Sequence, residues 1–183
     1  MDDPEDDDHA AGRIDARPSP PRPGTAWPLP PGLHPLGMGE GRDGLLRVPA
    51  AAAPGPLPLI MMLHGATGDA TRALRRIAPI ADAALVMLPD SLRRSWDVLE
   101  GGYGPDIARI EAALRRVLAE WPVDPKRLAV AGFSDGASYA LSLALMNGDL
   151  FTHALAFSPG FVVPMRLEGK PRLFSAMAPP IRC

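Results

Sequence analysis

Gly132-Phe133-Ser134-Asp135-Gly136 decides the fold of this chain. The five residues fit G-x-S-x-G, the pattern of a serine carried on a sharp turn between a strand and a helix. Glycine lacks a Cβ, so a glycine on each side lets strand and helix approach while the serine holds a strained backbone and exposes its hydroxyl. The motif has weight only in that context, and the flanks supply it. Arg127-Leu128-Ala129-Val130-Ala131 reads as a short buried strand, and Ala137 to Met146 reads as a helix with small residues on its first turns.

Outward from the motif the pattern alternates. Gly44 to Pro49 reads as a first strand, Ala50 to Pro56 as a turn and Leu57 to Leu63 as an apolar strand. Ala70 to Ala81 has a helical period that Pro79 must kink or split. Ala84 to Leu88 is a second buried strand. Pro105 to Trp121 is the clearest helix: Ile107, Ile110, Leu114, Val117, Leu118 and Trp121 form one stripe, and Pro105 suits its first turn. His153 to Phe157 and Arg172 to Phe174 read as further strands. Near-continuously apolar strands separated by helices predict an α/β fold, an open, mostly parallel sheet with helices on both faces. Right-handed crossovers then bring the carboxyl ends of the strands, and the loops after them, to one edge.

The bulk numbers fit one domain. The chain has 183 residues, 46% of them hydrophobic, and a net charge of -2. Residues 1–12 hold six acids and no lysine or arginine, so the remainder carries 19 basic and 15 acidic side chains. That balance is too mild for a nucleic-acid partner. Residues 1–35 are expected to form a disordered tail, acidic and then proline-rich, because like charges repel and proline forbids a helix. Residues 36–183 are expected to form the folded domain. The single cysteine, Cys183, has no internal disulfide partner and sits where a catalytic thiol is improbable. No apolar run approaches the ~18 residues of a membrane span and no leader pattern follows Met1. The expected location is cytoplasmic.

Leu63-His64-Gly65-Ala66 follows the first apolar strand. With Pro89-Asp90-Ser91, Ser95-Trp96-Asp97, Gly-Phe-Ser-Asp-Gly-Ala and Phe157-Ser158-Pro159-Gly160 after it in order, the chain from about Leu33 to Phe174 resembles the phospholipase/carboxylesterase branch of the α/β-hydrolases. The resemblance implies a small serine esterase that acts on a small-molecule ester without cofactor or metal. It implies that Ser134 is the nucleophile and that the amides of Ala66 and Asp135 form the oxyanion hole. Trp96 is implied in the acyl or alcohol pocket, with packing beneath the loop as its alternative. His64 is read as a loop-ordering residue, and Asp90 and Asp97 as loop-ordering carboxylates.

The same resemblance implies a triad in the order Ser, Asp or Glu, His. After Ser134 the acids are Asp135, Asp149 and Glu168, and the one histidine is His153; none stands where the family places it. The family continues past the strand at 172–174 with a segment like S-H-G-T-x-D and a later Gly-His. Here Ser175 to Cys183 resembles nothing there. One base inserted after codon 174 turns a permitted coding of the last ten residues into Phe-Ile-Ser-His-Gly-Thr-Ala-Asp-Pro-Val, with Met177, which has a single codon, supplying part of the histidine codon. The expectation is therefore a hydrolase domain whose last strands and helices are missing through a frameshift, poorly soluble and inactive on esters. Two other readings stay open: a ligand-binding protein that kept the sheet and pocket without the triad, and an unrelated parallel α/β enzyme. The latter predicts a phosphate-cradling loop, and no G-x-G-x-x-G or Walker sequence follows any strand.

Overall fold

The computed structural model describes residues 4–19, 28–39, 41–50 and 55–177. Expectations for the middle of the proline-rich stretch, for most of the turn before Leu57 and for residues 178–183 fall outside them. Seven strands form one sheet: β1 (Gly32–Pro35), β2 (Gly44–Val48), β3 (Leu57–Leu63), β4 (Leu85–Pro89), β5 (Val123–Phe133), β6 (His153–Phe157) and β7 (Arg172–Ala176), in the order β1-β2-β4-β3-β5-β6-β7. The last five strands in that order run parallel; β1 pairs antiparallel with β2, and β2 with β4. The helices are α1 (Pro4–Ala10), α2 (Ala70–Ile77), α3 (Pro105–Glu120) and α4 (Asp135–Met146). This is the open, mostly parallel sheet that the alternation predicts. No helix among the described residues is long and apolar enough to cross a membrane.

Local chemistry sets the elements. Asp69 caps α2 by accepting from the Arg72 amide at 2.7 Å, and Pro79 ends the regular helix, which passes into a 3-10 turn over Ala78–Ile80. The stripe on α3 is buried from Ile107 to Leu118 against the sheet. α4 is buried along almost its whole length, with small Ala137, Ala140 and Ala144 admitting close contact with β5 and β6.

Two expectations need correction at the amino end. The reading of 1–35 as a disordered tail does not hold for the described part. α1 and the residues after it are folded onto the body: His9 Nε2 meets Glu111 Oε2 at 3.0 Å, Arg13 donates to Met146 O at 2.8 Å and to Asp149, and Ile14 lies wholly buried in the core. Asn147 accepts from the Ile14 amide at 2.9 Å and donates to Gly12 O at 2.9 Å. Ile14 and Ala16, just beyond the acids, carry apolar surface into the core, and that burial outweighs the repulsion among like charges. The domain boundary at residue 36 also falls too late. Gly32–Pro35 is an edge strand paired with β2, and its proline is tolerated because one side of an edge strand needs no donor.

At the other edge β7 is exposed along its whole length, with Phe174 and the following Met177 57% and 71% exposed. Leu167, Leu173 and Phe157 add to an open apolar surface on this flank.

Candidate active site

The chain runs from β3 to β4 on one side, then crosses by α3 to β5 on the other side of β3. The order reverses between β3 and β5, and open sheets bind their ligands in the crevice at the carboxyl ends of such a pair. Leu63 is in register with Gly132 there, so the loop after β3 and the turn after β5 leave the sheet side by side.

Ser134 occupies that turn at φ 54 and ψ -121, a conformation L-residues rarely hold. Its amide donates to Phe157 O of β6 at 2.9 Å, and its carbonyl accepts from the Ala137 amide at 2.9 Å, which starts α4. A Cβ on Gly132 would overlap the Gly136 carbonyl and come within 2.6 Å of the Ala137 nitrogen; one on Gly136 would overlap the carbonyl oxygens of Leu63 and His64. Both motif glycines are thus required by backbone-to-backbone contact. Gly65 faces the serine, with its missing Cβ only 3.2 Å from Ser134 Cβ. Ser134, Gly65 and Ala66 line one cavity of about 180 Å³, together with Arg72 and Arg76. Arg72, Arg76 and Phe133 also border a larger open cavity of about 760 Å³ beside Phe157 and Ser158, where the Arg76 guanidinium lies 3.4 Å over the Phe133 ring.

Strain marks the same edge. Among the described residues the non-glycines with positive φ are Thr67, Ser134 and Ser158, each just past the carboxyl end of β3, β5 or β6. Sequence reasoning found the middle one; the other two carry no pattern that announces them.

The loop after β3 is fixed by His64. Its Nδ1 donates to Gly65 O at 2.7 Å and its Nε2 accepts from the Ser91 amide at 3.1 Å. Burial lowers its pKa, against the opposing pull of that Gly65 bond and of Asp90, so the ring stays neutral. It orders the loop, as expected. Asp90 accepts from the Ala70 amide at 2.6 Å, and Asp97 from the Gly104 and Asp106 amides and from Tyr139 Oη at 2.7 Å, so both are ordering carboxylates.

The pocket role of Trp96 is not where the structure places it. Its indole is wholly buried, donates to His64 O at 2.9 Å and stacks between His64 and Tyr139 at 4.8 and 5.2 Å. A buried indole needs an acceptor for its N–H, and the carbonyl at the end of β3 provides one beneath the loop.

The remaining triad candidates lie elsewhere. Asp149 is held by Arg13 and Arg17; burial pushes its carboxyl up, but the guanidiniums outweigh it and keep it below the usual range. His153 opens β6, bonded to Thr152 Oγ1 at 2.8 Å and stacked near Phe174, a strand length of roughly 13 Å from the Phe157 end that touches Ser134. His9 and His34 are bonded to Glu111 and to Pro30 O. Among the described residues, then, no histidine with a free nitrogen faces the serine. Asp106 is the main residue that sequence reasoning missed: buried, it accepts from the Leu92 and Asp97 amides at 2.8 and 2.9 Å, and burial raises it to about 6 although both bonds oppose the shift.

A strained serine at the switch point of this sheet, between two obligatory glycines, is the arrangement of the α/β-hydrolase fold. Residues 37–167 match the Esterase family, described as "Putative esterase", and the chain belongs to that family. Among solved structures it is similar to esterase PE8, at 20% identity and TM-score 0.57 over 73% of each chain. It is also similar to the fluorophosphonate-binding serine hydrolase FphF of Staphylococcus aureus, at 22% identity and TM-score 0.52 over 64% of this chain and 51% of that one. The native pOPH structure matches at 18% identity and TM-score 0.55 over 77% and 55%. The chain spans about half the length of the latter two. No curated protein matches it in sequence.

Proposed function

We propose that the chain carries the acyl-accepting half of a carboxylic ester hydrolase of the phospholipase/carboxylesterase type, with Ser134 as nucleophile. Ser134 Oγ attacks the ester carbonyl carbon, the C–O bond to the alcohol breaks, and an acyl-enzyme remains for water to release. The Ala66 and Asp135 amides take the charge on the carbonyl oxygen in the tetrahedral intermediate. The observation that carries this reading is the positive φ of Ser134, whose Cβ lies 3.2 Å from the missing Cβ of Gly65, with both residues and Ala66 lining one cavity. Family membership and neighbours named as an esterase and a serine hydrolase support it.

The described residues bring no general base to Ser134, so its proton leaves to water or hydroxide. Turnover is accordingly slow, with only the ~10³–10⁴-fold acceleration that an oxyanion hole and binding retain when the triad is lost. Hydrolysis of p-nitrophenyl acetate by the purified chain tests this. The expected rate is low, lost in Ser134→Ala, and rises with pH without an inflection near the histidine range; turnover unchanged in Ser134→Ala contradicts it. A second reading, a non-catalytic binder of esters or acids, is favoured by the same want of a base. It predicts ligand-dependent thermal stabilisation with no Ser134-dependent product.

A further inference from the structure

The segment from Ser91 to Asp97 touches both halves of the candidate oxyanion site. Toward the loop after β3, the Ser91 amide donates to His64 Nε2 at 3.1 Å, the Trp96 indole donates to His64 O at 2.9 Å, and Arg94 O accepts from the Thr67 amide at 2.6 Å. These contacts fix the residues on both sides of Ala66. Toward α4, Ser95 Oγ donates to Asp135 Oδ2 at 2.8 Å, and the Asp97 carboxylate accepts from Tyr139 one helical turn further on. The segment is itself pinned at two points: Asp106 takes the Leu92 and Asp97 amides on its two oxygens, and Arg42 donates to Arg93 O at 3.0 Å and to Gly68 O.

An oxyanion hole works because its donors are held in place before charge develops, so a small error in their spacing costs rate rather than binding. The Ala66 and Asp135 amides come from segments about 70 residues apart in sequence, joined across the crevice by contacts of this kind. We infer that Ser91–Asp97 is a brace that sets the spacing of the two amides, and that Ser95 is a positioning residue acting on Asp135 through its side chain. The inference rests on the reading of Ser134 as nucleophile.

The test is the rate at which a fluorophosphonate modifies Ser134 in the full chain. The Ser134 Oγ–P bond forms, the P–F bond breaks, and fluoride leaves with the proton passing to solvent. Ser95→Ala is expected to lower the maximal modification rate about tenfold, with the probe concentration for half-maximal rate unchanged, as for a lost charge-assisted hydrogen bond. Ser95→Thr, which keeps the hydroxyl, is expected to restore the rate to within about twofold, since it retains the same donor. If Ser95→Ala fails to fold, the helix side reads the same bond: Asp135→Ala slows modification and Asp135→Asn, which keeps an acceptor oxygen, does not. Wild-type rates in Ser95→Ala and Asp135→Ala overturn the brace while leaving Ser134 as nucleophile. Wild-type chain that takes up no probe, or equal uptake in Ser134→Ala, overturns the nucleophile reading and the brace with it.

Discussion

Gly132 and Gly136 meet backbone to backbone across the turn that presents Ser134, with the Cα hydrogen of Gly132 pointing at the Gly136 carbonyl. The space between them is set by main chain, which no rotamer change relieves. Gly132→Ala and Gly136→Ala are each expected to destabilise the fold by about 3 kcal/mol or more, the upper range for overpacking. Urea denaturation of the two variants checks this; a loss below the error of the method in both would show that the strand and helix do not approach as described.

The amino-terminal segment offers a test of its own. Ile14 is fully buried in the core, and its amide is tied to Asn147. Ile14→Ala is expected to cost about 2–5 kcal/mol, the range for emptying a core site. A disordered tail would show no change in the urea midpoint.

Asp106 makes the stability depend on acid in an unusual direction. Its carboxyl, raised to about 6 by burial, holds a proton in the folded state at pH values where the unfolded chain has released it. Stability from this group is therefore greatest at low pH and is lost as pH rises toward about 6. Wild type is expected to gain roughly 1 kcal/mol on Asp106→Asn between pH 7 and pH 5. Paired denaturation curves at the two pH values check the sign, and wild type gaining on Asp106→Asn as the pH rises instead would refute the burial argument.

Among the described residues no strand pairs with the outer edge of β7, beside exposed Leu173 and Phe174, the arrangement that natural sheets cover or charge. The chain is expected to associate as its concentration rises, and Phe174→Lys to reduce that association without lowering the melting temperature. Light scattering against concentration for the two chains decides it; equal scattering would place the sticky surface elsewhere.

Much of this was legible in the sequence because the signals were local. The elbow announces itself through two glycines at fixed offsets from a serine, and the strands through apolar runs of the right length. Pro79 marked the end of α2 to within two residues. What stayed hidden depends on partners far along the chain. Nothing in Asp2 to Asp8 says that Glu111 and Asp149 wait to receive His9 and Arg13, and a run of like charges reads as solvated until those partners are known. Trp96 reads equally well as a pocket wall or a buried support, because the choice turns on whether an acceptor for its N–H lies above or below the loop; His64 O lies below. Asp106 sits in the first turn of a helix, where an acid is expected for the dipole alone, and its two loop amides come from residues 9 and 14 positions away.

The central claim concerns one hydroxyl, and intact mass spectrometry after exposure to a fluorophosphonate probe at alkaline pH reads it most directly. The account predicts a single adduct that maps to Ser134 and is absent from Ser134→Ala. An adduct on another residue, or none on wild type after exposure long enough for an unassisted serine to react at alkaline pH, would contradict it.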